Sequence, residues 1–343
     1  MRAVTVLGSV EAEHLGKTLI HEHLLFDFSA FLPLQQDVVQ ARLVQKPLTI
    51  EWLGALRFDP FLLADNVRHV DIELTIEELG SFGLLGGKTV VDPTNASLGR
   101  DPLALQRIAR ATGLNIVMGS GYYTEISLGR DFESRSIESV TAELVRDVTE
   151  GVDGTSVRAG LIGEIGTSAP ITPNELVSLR AASRAQAATG APLMIHLDGW
   201  GREGHRVLDI VAEEGGALDR TILCHMNPSC ADLEYQQDLA ARGAYIEYDM
   251  MGMTAFYPPN KVCPDDLSAL QGIASLIEAG FGERVLMSQD VFLKMMFKRF
   301  GGLGYTHVFE NLPPLYREVG IRDTDLTTMF VENPRRVLVF EGV

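Results

Sequence analysis

Cysteine, long apolar runs and positive charge are all scarce in this chain of 343 residues. The three cysteines, Cys224, Cys230 and Cys263, are odd in number and spread out, which argues against a disulfide framework. No apolar run reaches the roughly 18 residues of a membrane-spanning helix, and no N-terminal stretch has the pattern of a signal peptide. These absences predict a cytoplasmic protein without a membrane partner.

The charge balance also excludes partners. Lysine and arginine number 29 against 46 aspartates and glutamates, a net charge of −17. Because nucleic-acid binding needs clustered basic side chains, we expect no nucleic-acid partner. Docking on anionic membranes is disfavoured for the same reason, whereas bound divalent cations would offset part of the charge.

Apolar, β-branched runs alternate with amphipathic segments along the chain. Most runs are almost continuously apolar, as strands buried on both faces are. The eight predicted strands are Thr18–Leu24, Lys88–Thr94, Asn115–Gly121, Ala159–Gly166, Pro192–Asp198, Thr221–Asn227, Ala244–Met251 and Arg284–Asp290.

The segments between these runs predict helices, with proline near the start or glycine just past the end of several. They are Pro102–Thr112, Ser136–Glu150, Pro173–Thr189, Asp232–Arg242 and Pro264–Ala279. Eight βα units predict a single (β/α)8 TIM barrel over residues 1–343. A doubly wound sheet is disfavoured because the residues after the first strand, 24–28, contain no glycine.

Residues 27–71 break this rhythm as a long insertion after the first strand. The segment is too apolar for a disordered linker, with Phe31, Trp52, Phe58 and Phe61 among its side chains. We expect a small helical subdomain on the barrel rim, which can also serve as a lid that lines the substrate pocket.

Polar side chains collect at the carboxyl ends of the predicted strands, where TIM barrels build their active sites. They are His21, His23, Glu164, His196, His225 and Asp290. Side chains two apart on a strand share a face, so His21 and His23 point into the barrel and Glu22 points away. Four of the eight histidines thus meet two carboxylates on one rim, which predicts a metal site.

The number of ligands predicts two divalent ions, with Zn²⁺ expected from the imidazole-rich donor set. His21, His23 and Asp290 would hold one ion, and His196 and His225 the other. Glu164 can bridge both with its two oxygens, and so can a hydroxide that attacks the substrate. Asp290 would accept the proton from the attacking water.

The chain resembles the phosphotriesterase family of the amidohydrolase superfamily nearly from end to end. The motifs lie in residues 16–23, 119–123, 160–166, 301–305 and 332–334, and they are most similar to the phosphotriesterase-related, or resiniferatoxin-binding-like, branch. The resemblance implies a binuclear, usually zinc, centre on the ligands named above. It also makes a homodimer the expected assembly.

One ligand departs from the better-known members of that family. They use a carboxylated lysine as the bridge, whereas Glu164 stands there in this chain, as in the related branch. Triesterase activity therefore transfers less readily. Tyr123 aligns with a pocket position that is tyrosine in related lactonases, where its phenol could stabilise an oxyanion or simply form pocket wall.

Cations close to the metal ligands predict a substrate with an anionic group. Lys294 follows Asp290 closely, with Lys298 and Arg299 beyond it, and Arg202 follows His196. Lys294 and Arg202 are candidate substrate-binding residues for a carboxylate, sulfonate or phosphate. The alternative is that these cations only offset nearby acidic surface.

The favoured function is hydrolysis of a carboxyl derivative, meaning a lactone, an ester or an N-acyl amide, in a small-molecule substrate. The reasons are Tyr123 and the resemblance, because the related branch includes hydrolysis of N-acyl amino-sulfonates. One alternative is an organophosphate triester hydrolase. The other is a small-molecule binding protein without catalysis, although such a protein has no use for an activated water.

Overall fold

Eight parallel strands form the centre of the molecule in a computed structural model that describes residues 2–34, 37–257 and 261–340. Each strand pairs in parallel with the next along the chain. The strands are β1 (Lys17–Leu19), β2 (Gly87–Asp92), β3 (Asn115–Ser120), β4 (Leu161–Gly166), β5 (Leu193–His196), β6 (Thr221–Leu223), β7 (Tyr245–Tyr248) and β8 (Val285–Met287). The TIM barrel predicted from the sequence is confirmed.

The predicted runs extend past several strands at their carboxyl ends. The hydrogen-bonded ladder of β1 ends at Leu19, for example, while the apolar run continues to Leu24. Most of the candidate ligands therefore lie at or just beyond the strands, where side chains face the barrel mouth and the backbone is free to turn outward.

The barrel closes between its first and last strands through backbone hydrogen bonds. The Asp290 amide donates to the His21 carbonyl at 3.1 Å, and the His23 amide donates to the Val291 carbonyl at 3.3 Å. These bonds bring the candidate ligands from both ends of the chain together.

Glu22 reinforces this closure. Its buried carboxylate accepts hydrogen bonds from the Ser288 hydroxyl, from the Gln289 amide and side chain, and from the Val291 amide, at 2.8–3.0 Å. As the alternation rule predicts, Glu22 points away from the side that His21 and His23 share, and it uses that direction to join the last strand to the first.

Helices surround the barrel, and all five predicted helices are present within a residue or two at each end. They are α1 (Val38–Val44), α2 (Leu53–Leu56), α3 (Ile72–Leu84), α4 (Pro102–Thr112), α5 (Ile137–Thr149), α6 (Pro173–Thr189), α7 (Gly204–Glu213), α8 (Leu233–Ala241), α9 (Asp266–Glu278), α10 (His307–Glu310), α11 (Pro313–Glu318), α12 (Asp323–Thr327) and α13 (Asn333–Leu338). Within the described ranges, no helix has the length and apolar character needed to cross a bilayer.

Three short antiparallel pairs lie outside the barrel. They are Arg2–Thr5 with Gly8–Glu11, Phe26–Asp27 with Arg68–His69, and Phe256–Tyr257 with Lys261–Val262. The second pair brings the start and end of the insertion together, and the third forms a small hairpin after β7.

The insertion has a hydrophobic cluster of its own on the barrel rim. Leu48, Leu56 and Leu63 are buried in it, and Met295 and Phe300 of the loop after β8 pack against this cluster. This arrangement is what a rim subdomain requires, while the role of a mobile lid stays a prediction.

Candidate metal centre and substrate cavity

The six predicted ligands converge at the carboxyl end of the barrel. On one side of the cluster, the His23 Nε2 atom lies 3.3 Å from a Glu164 oxygen and 3.4 Å from Asp290 Oδ1. His21 Nε2 lies 3.8 Å and 3.7 Å from the same two carboxylates. The first-strand pair therefore faces both acids, as the alternation rule predicts.

The second histidine pair lies on the other side of Glu164. His196 Nδ1 and His225 Nε2 are 2.6 Å apart, and they lie 3.4 Å and 3.6 Å from Glu164 Oε2. Glu164 thus stands between the two pairs, which is the position that a bridging ligand needs.

Two of the ligands sit on strained backbone. His225 has a φ of 58° and Asp290 a φ of 48°, both in the left-handed region that non-glycine residues seldom adopt. Each follows the end of a strand, where the chain turns sharply out of the barrel. Such strain persists only where the surroundings enforce it, and it is concentrated at functional sites.

Unsatisfied polar atoms at the centre of the cluster test whether metal ions fit. His21 Nε2, Glu164 Oε2 and Asp290 Oδ1 are buried, and none has a hydrogen-bond partner among the described residues. Leaving such atoms unpaired costs free energy, which a coordinated cation would recover. Imidazole and carboxylate donors suit Zn²⁺ and similar ions, so the cluster fits divalent metal.

The donor atoms form overlapping groups, each within 4.8 Å. Those made only of predicted ligands are His21–His23–Glu164, His21–His225–Asp290 and Glu164–His196–His225. This buried cluster could hold metal ions. The number and identity of the ions stay predictions.

The electrostatics of the cluster favour ionised acids. Burial raises the pKa of Glu164, but its contacts with the four imidazoles outweigh burial and bring the pKa well below its usual value. Burial lowers the pKa of His23, but Asp290 and Glu164 raise it to about 9. Burial and the neighbouring His225 lower the pKa of His196. Without a metal, protons on the imidazoles balance the acids, and a divalent cation would replace those protons.

Two carboxylates below the ligands were missed at the sequence level. Asp249 contacts His225 Nδ1 at 3.0 Å and His21 Nδ1 at 3.4 Å, and Glu247 contacts His21 Nδ1 at 3.3 Å. They lie two apart at the end of the seventh strand. The alternation rule that paired His21 with His23 would have found them.

A third support comes from the end of the second strand. The Thr94 hydroxyl lies 2.7 Å from His23 Nδ1. Each of these partners occupies the ring nitrogen that faces away from the cluster, which fixes the orientation of the imidazole.

A cavity of about 350 Å³ opens above the ligands. Its wall is largely aromatic, with Phe28, Phe31, Phe61, Tyr123, Trp200, Tyr257 and Phe292. Phe31 and Phe61 come from the insertion, which therefore supplies part of the pocket wall. The Tyr123 hydroxyl lies 3.0 Å from His196 Nδ1, and burial raises the pKa of this phenol well above its usual value.

The two cations predicted to bind substrate do not line this cavity. Lys294 forms an ion pair with Asp65 of the insertion at 2.5 Å, and Arg202 forms one with Asp232 at 3.0 Å. Both residues lie close to candidate ligands in the sequence, but their loops carry the side chains away from the pocket. The cavity wall instead includes Lys261, from the hairpin after β7, which no sequence pattern had indicated.

Comparison with known proteins finds similarity over nearly the whole chain. The sequence model described as the phosphotriesterase family matches residues 1–338. A phosphotriesterase-related protein of Nematostella vectensis is 34% identical over 346 residues, covering 99% of each chain. An N-acetyltaurine hydrolase of Danio rerio is 33% identical over 343 residues, covering 98% of this chain and 97% of the relative.

A solved structure extends the likeness to the fold. A resiniferatoxin-binding protein from Rhodobacter sphaeroides superposes with a TM-score of 0.96 at 45% identity, covering 100% of this chain and 96% of the other. The similarity therefore includes the insertion and every strand end that carries a candidate ligand.

Proposed function

This chain belongs to the phosphotriesterase family, and we propose that it is a binuclear hydrolase that cleaves carboxyl derivatives, with N-acyl amides as its preferred substrates. The observation that carries this proposal is the buried group of unpartnered imidazole and carboxylate atoms at the base of a small aromatic cavity. Membership of this family makes the chain a metal-dependent hydrolase.

Two sets of ligands would hold the ions. His21, His23 and Asp290 would hold one ion, His196 and His225 would hold the other, and Glu164 would contribute to both. Bound there, divalent ions supply an acidified water and a Lewis acid for the scissile carbonyl. No carboxylated lysine would be needed, because the unmodified carboxylate of Glu164 stands between the two histidine pairs.

Asp290 is the group that moves the proton. Burial raises its pKa, but the surrounding imidazoles, His21 foremost, lower it overall, so the carboxylate is ionised and able to accept a proton. Its unpartnered Oδ1 atom faces the ligand cluster. Asp290 takes the proton of the attacking water and delivers it to the leaving nitrogen.

Tyr123 assists at the carbonyl oxygen. Its phenol stays protonated because burial raises its pKa, and its hydroxyl lies beside His196 at the base of the cavity. A phenol held there donates a hydrogen bond to the oxyanion as it develops. Its ring completes the aromatic wall that excludes water.

The preference for amides draws on the relatives. Several curated relatives, including that of Danio rerio, are named N-acetyltaurine hydrolase. Lactones and esters present the same trigonal carbonyl and are the nearest alternatives. Phosphotriester hydrolysis is the second candidate because the matching family carries that name.

A substrate panel tests the proposal. Zinc-loaded protein is assayed with N-acetyltaurine, a simple acetate ester, a γ-lactone and an aryl phosphotriester, and kcat/KM is compared. We expect the acyl compounds to exceed the phosphotriester by orders of magnitude. A faster phosphotriester would overturn the preference, and no turnover of any compound would favour a binding protein.

Asp290→Asn separates catalysis from metal binding, because asparagine keeps an oxygen ligand but cannot accept the proton. We expect the variant to retain about two ions per chain by elemental analysis and to lose about 10²–10⁴-fold in kcat. A wild-type ratio near one ion would refute the binuclear centre. Full activity in the variant would refute the role of Asp290.

A further inference from the structure

One cationic side chain lines the cavity from the hairpin that follows β7, next to the insertion. Among the described residues that line the pocket, Lys261 is the one that carries an amine, and no arginine joins it. It belongs to the hairpin Phe256–Tyr257 with Lys261–Val262, which follows β7. The proposed mechanism gives this residue no task.

Two contacts hold the ammonium in place, and a third holds the hairpin that carries it. It forms an ion pair with Asp198 and lies 5.3 Å from the centre of the Trp200 ring, a cation–π distance. The Trp200 indole donates to the Val262 carbonyl at 3.2 Å, which ties the hairpin to the loop after β5. Because Asp198 follows His196 by two residues, the ammonium is fixed relative to the metal ligands.

The Lys261 ammonium has N–H donors available for a ligand. A lysine has three N–H groups, and Asp198 and the ring of Trp200 occupy only part of them. The Lys261 side chain is 35% exposed and lines the cavity, so it is not enclosed by protein. In a chain of net charge −17, such a point is where an anion can approach the site.

The aromatic wall around Lys261 should strengthen an ion pair between its ammonium and a bound anion. Trp200 and Tyr257, whose rings lie 6.1 Å apart, stand beside it and restrict the access of water. An ion pair gains strength as water is excluded. Asp198 takes part of the charge, so we expect a moderate contribution and not a dominant one.

We propose that Lys261 binds the anionic end of the substrate, which makes the preferred class an N-acyl amine that carries a terminal sulfonate or carboxylate. The inference rests on the proposed function and deepens it. The scissile amide would lie over the ligand cluster, and the anionic end would point towards the ammonium in the same cavity. The anionic subsite that the sequence assigned to Lys294 and Arg202 is thereby moved to the hairpin after β7.

The test compares two acyl substrates that differ in charge alone. One is N-acetyltaurine, and the other is its neutral analogue with a methyl sulfone in place of the sulfonate. Zinc-loaded wild type is compared with Lys261→Gln, which removes the charge, and with Lys261→Arg, which keeps it. Lys88→Gln is the matched control, because Lys88 is exposed in β2 near the opposite end of the barrel.

We expect Lys261→Gln to raise KM for N-acetyltaurine about two- to fivefold, the size of a partly exposed ion pair, with kcat unchanged. The neutral analogue should show no change, and Lys261→Arg should restore most of the difference. Added salt should narrow the gap in KM between the two substrates for the wild type and Lys261→Arg, but not for Lys261→Gln. Equal losses on both substrates, or no loss on either, would overturn the inference.

A binding measurement separates this inference from the proposed function. If the wild type hydrolyses neither substrate, the proposed function fails, and calorimetric titration of both compounds then decides about Lys261. Weaker binding of N-acetyltaurine alone in Lys261→Gln would support the anionic subsite. Identical binding in the two proteins would refute it.

Discussion

A single carboxylate, Asp249, contacts one imidazole from each half of the ligand cluster. Its two oxygens face Nδ1 of His225 and Nδ1 of His21, at 3.0 Å and 3.4 Å. Glu247 contacts His21 alone among the four imidazoles, at 3.3 Å. We therefore expect different effects from substituting Asp249 and Glu247, although both are buried and lie two residues apart.

Asp249→Asn should weaken the binding of both ions. The amide keeps the shape of the carboxylate but loses the charge that orients two imidazoles, and such outer partners typically change metal affinity about 10–100-fold. Titration against a competing chelator measures the two dissociation constants. Glu247→Gln is the control and should weaken one ion. Loss of a single ion in Asp249→Asn would contradict this assignment.

At the scale of elements, the insertion contributes to both stability and recognition. Its cluster of Leu48, Leu56 and Leu63 gives it a core separate from that of the barrel. Its Phe31 and Phe61 rings stack at 5.8 Å and line the cavity. A segment with its own small core can open locally while the barrel stays folded.

Leu56→Ala should open the insertion without unfolding the barrel. Leu56 is fully buried, and removing such a side chain costs about 2–5 kcal/mol. Hydrogen exchange should accelerate in residues 38–63 and not in the barrel strands, and kcat/KM should fall as the cavity wall loosens. Leu34→Ala, at a side chain 92% exposed in the same insertion, should change neither. Uniformly faster exchange would show that the insertion and the barrel unfold together.

At the scale of the whole molecule, the candidate metal cluster and the closure of the barrel use the same residues. The first and last strands meet through Glu22 and through backbone bonds of His21, His23 and Asp290, which are also candidate ligands. Ions held by these residues would join the two ends of the barrel. The homodimer and the cytoplasmic location stay predictions, because they depend on surfaces and surroundings beyond a single chain.

Metal removal should therefore lower the melting temperature, and more so at higher pH. The folded, metal-free chain favours protonated His23, whose pKa is about 9 against 6.5 for a free imidazole. That stabilisation is complete below pH 6.5 and is lost as the pH rises through 9. Metal binding needs the neutral imidazole, so it strengthens over the same range.

Scanning calorimetry with chelator and with zinc, from pH 6.5 to 9, measures this difference. Each ion at 100 times its Kd adds about 2.7 kcal/mol to stability. The gap in melting temperature should widen steadily with pH, while the zinc-loaded protein changes less. Equal melting temperatures with and without chelator would show that the cluster does not bind metal.

The barrel and its candidate metal ligands could be predicted from the sequence because both depend on local regularities. Buried parallel strands are continuously apolar over a few residues, and helices repeat over 3.6, so neither pattern needs knowledge of distant contacts. The ligands follow from the same logic, since parallel strands bring their carboxyl ends to one rim. Asp249 and Glu247 obey that rule as well and were within its reach.

The tertiary structure alone decided which charged groups line the cavity and which close the barrel. Lys294 lies close to Asp290 in the sequence, but its loop places it beside Asp65. Lys261 lines the cavity from a hairpin that no periodic pattern predicts. The direction of Glu22 was predictable, but its partner Ser288 lies 266 residues away. Loop paths and long-range pairs depend on the packing of the whole chain, which no local pattern encodes.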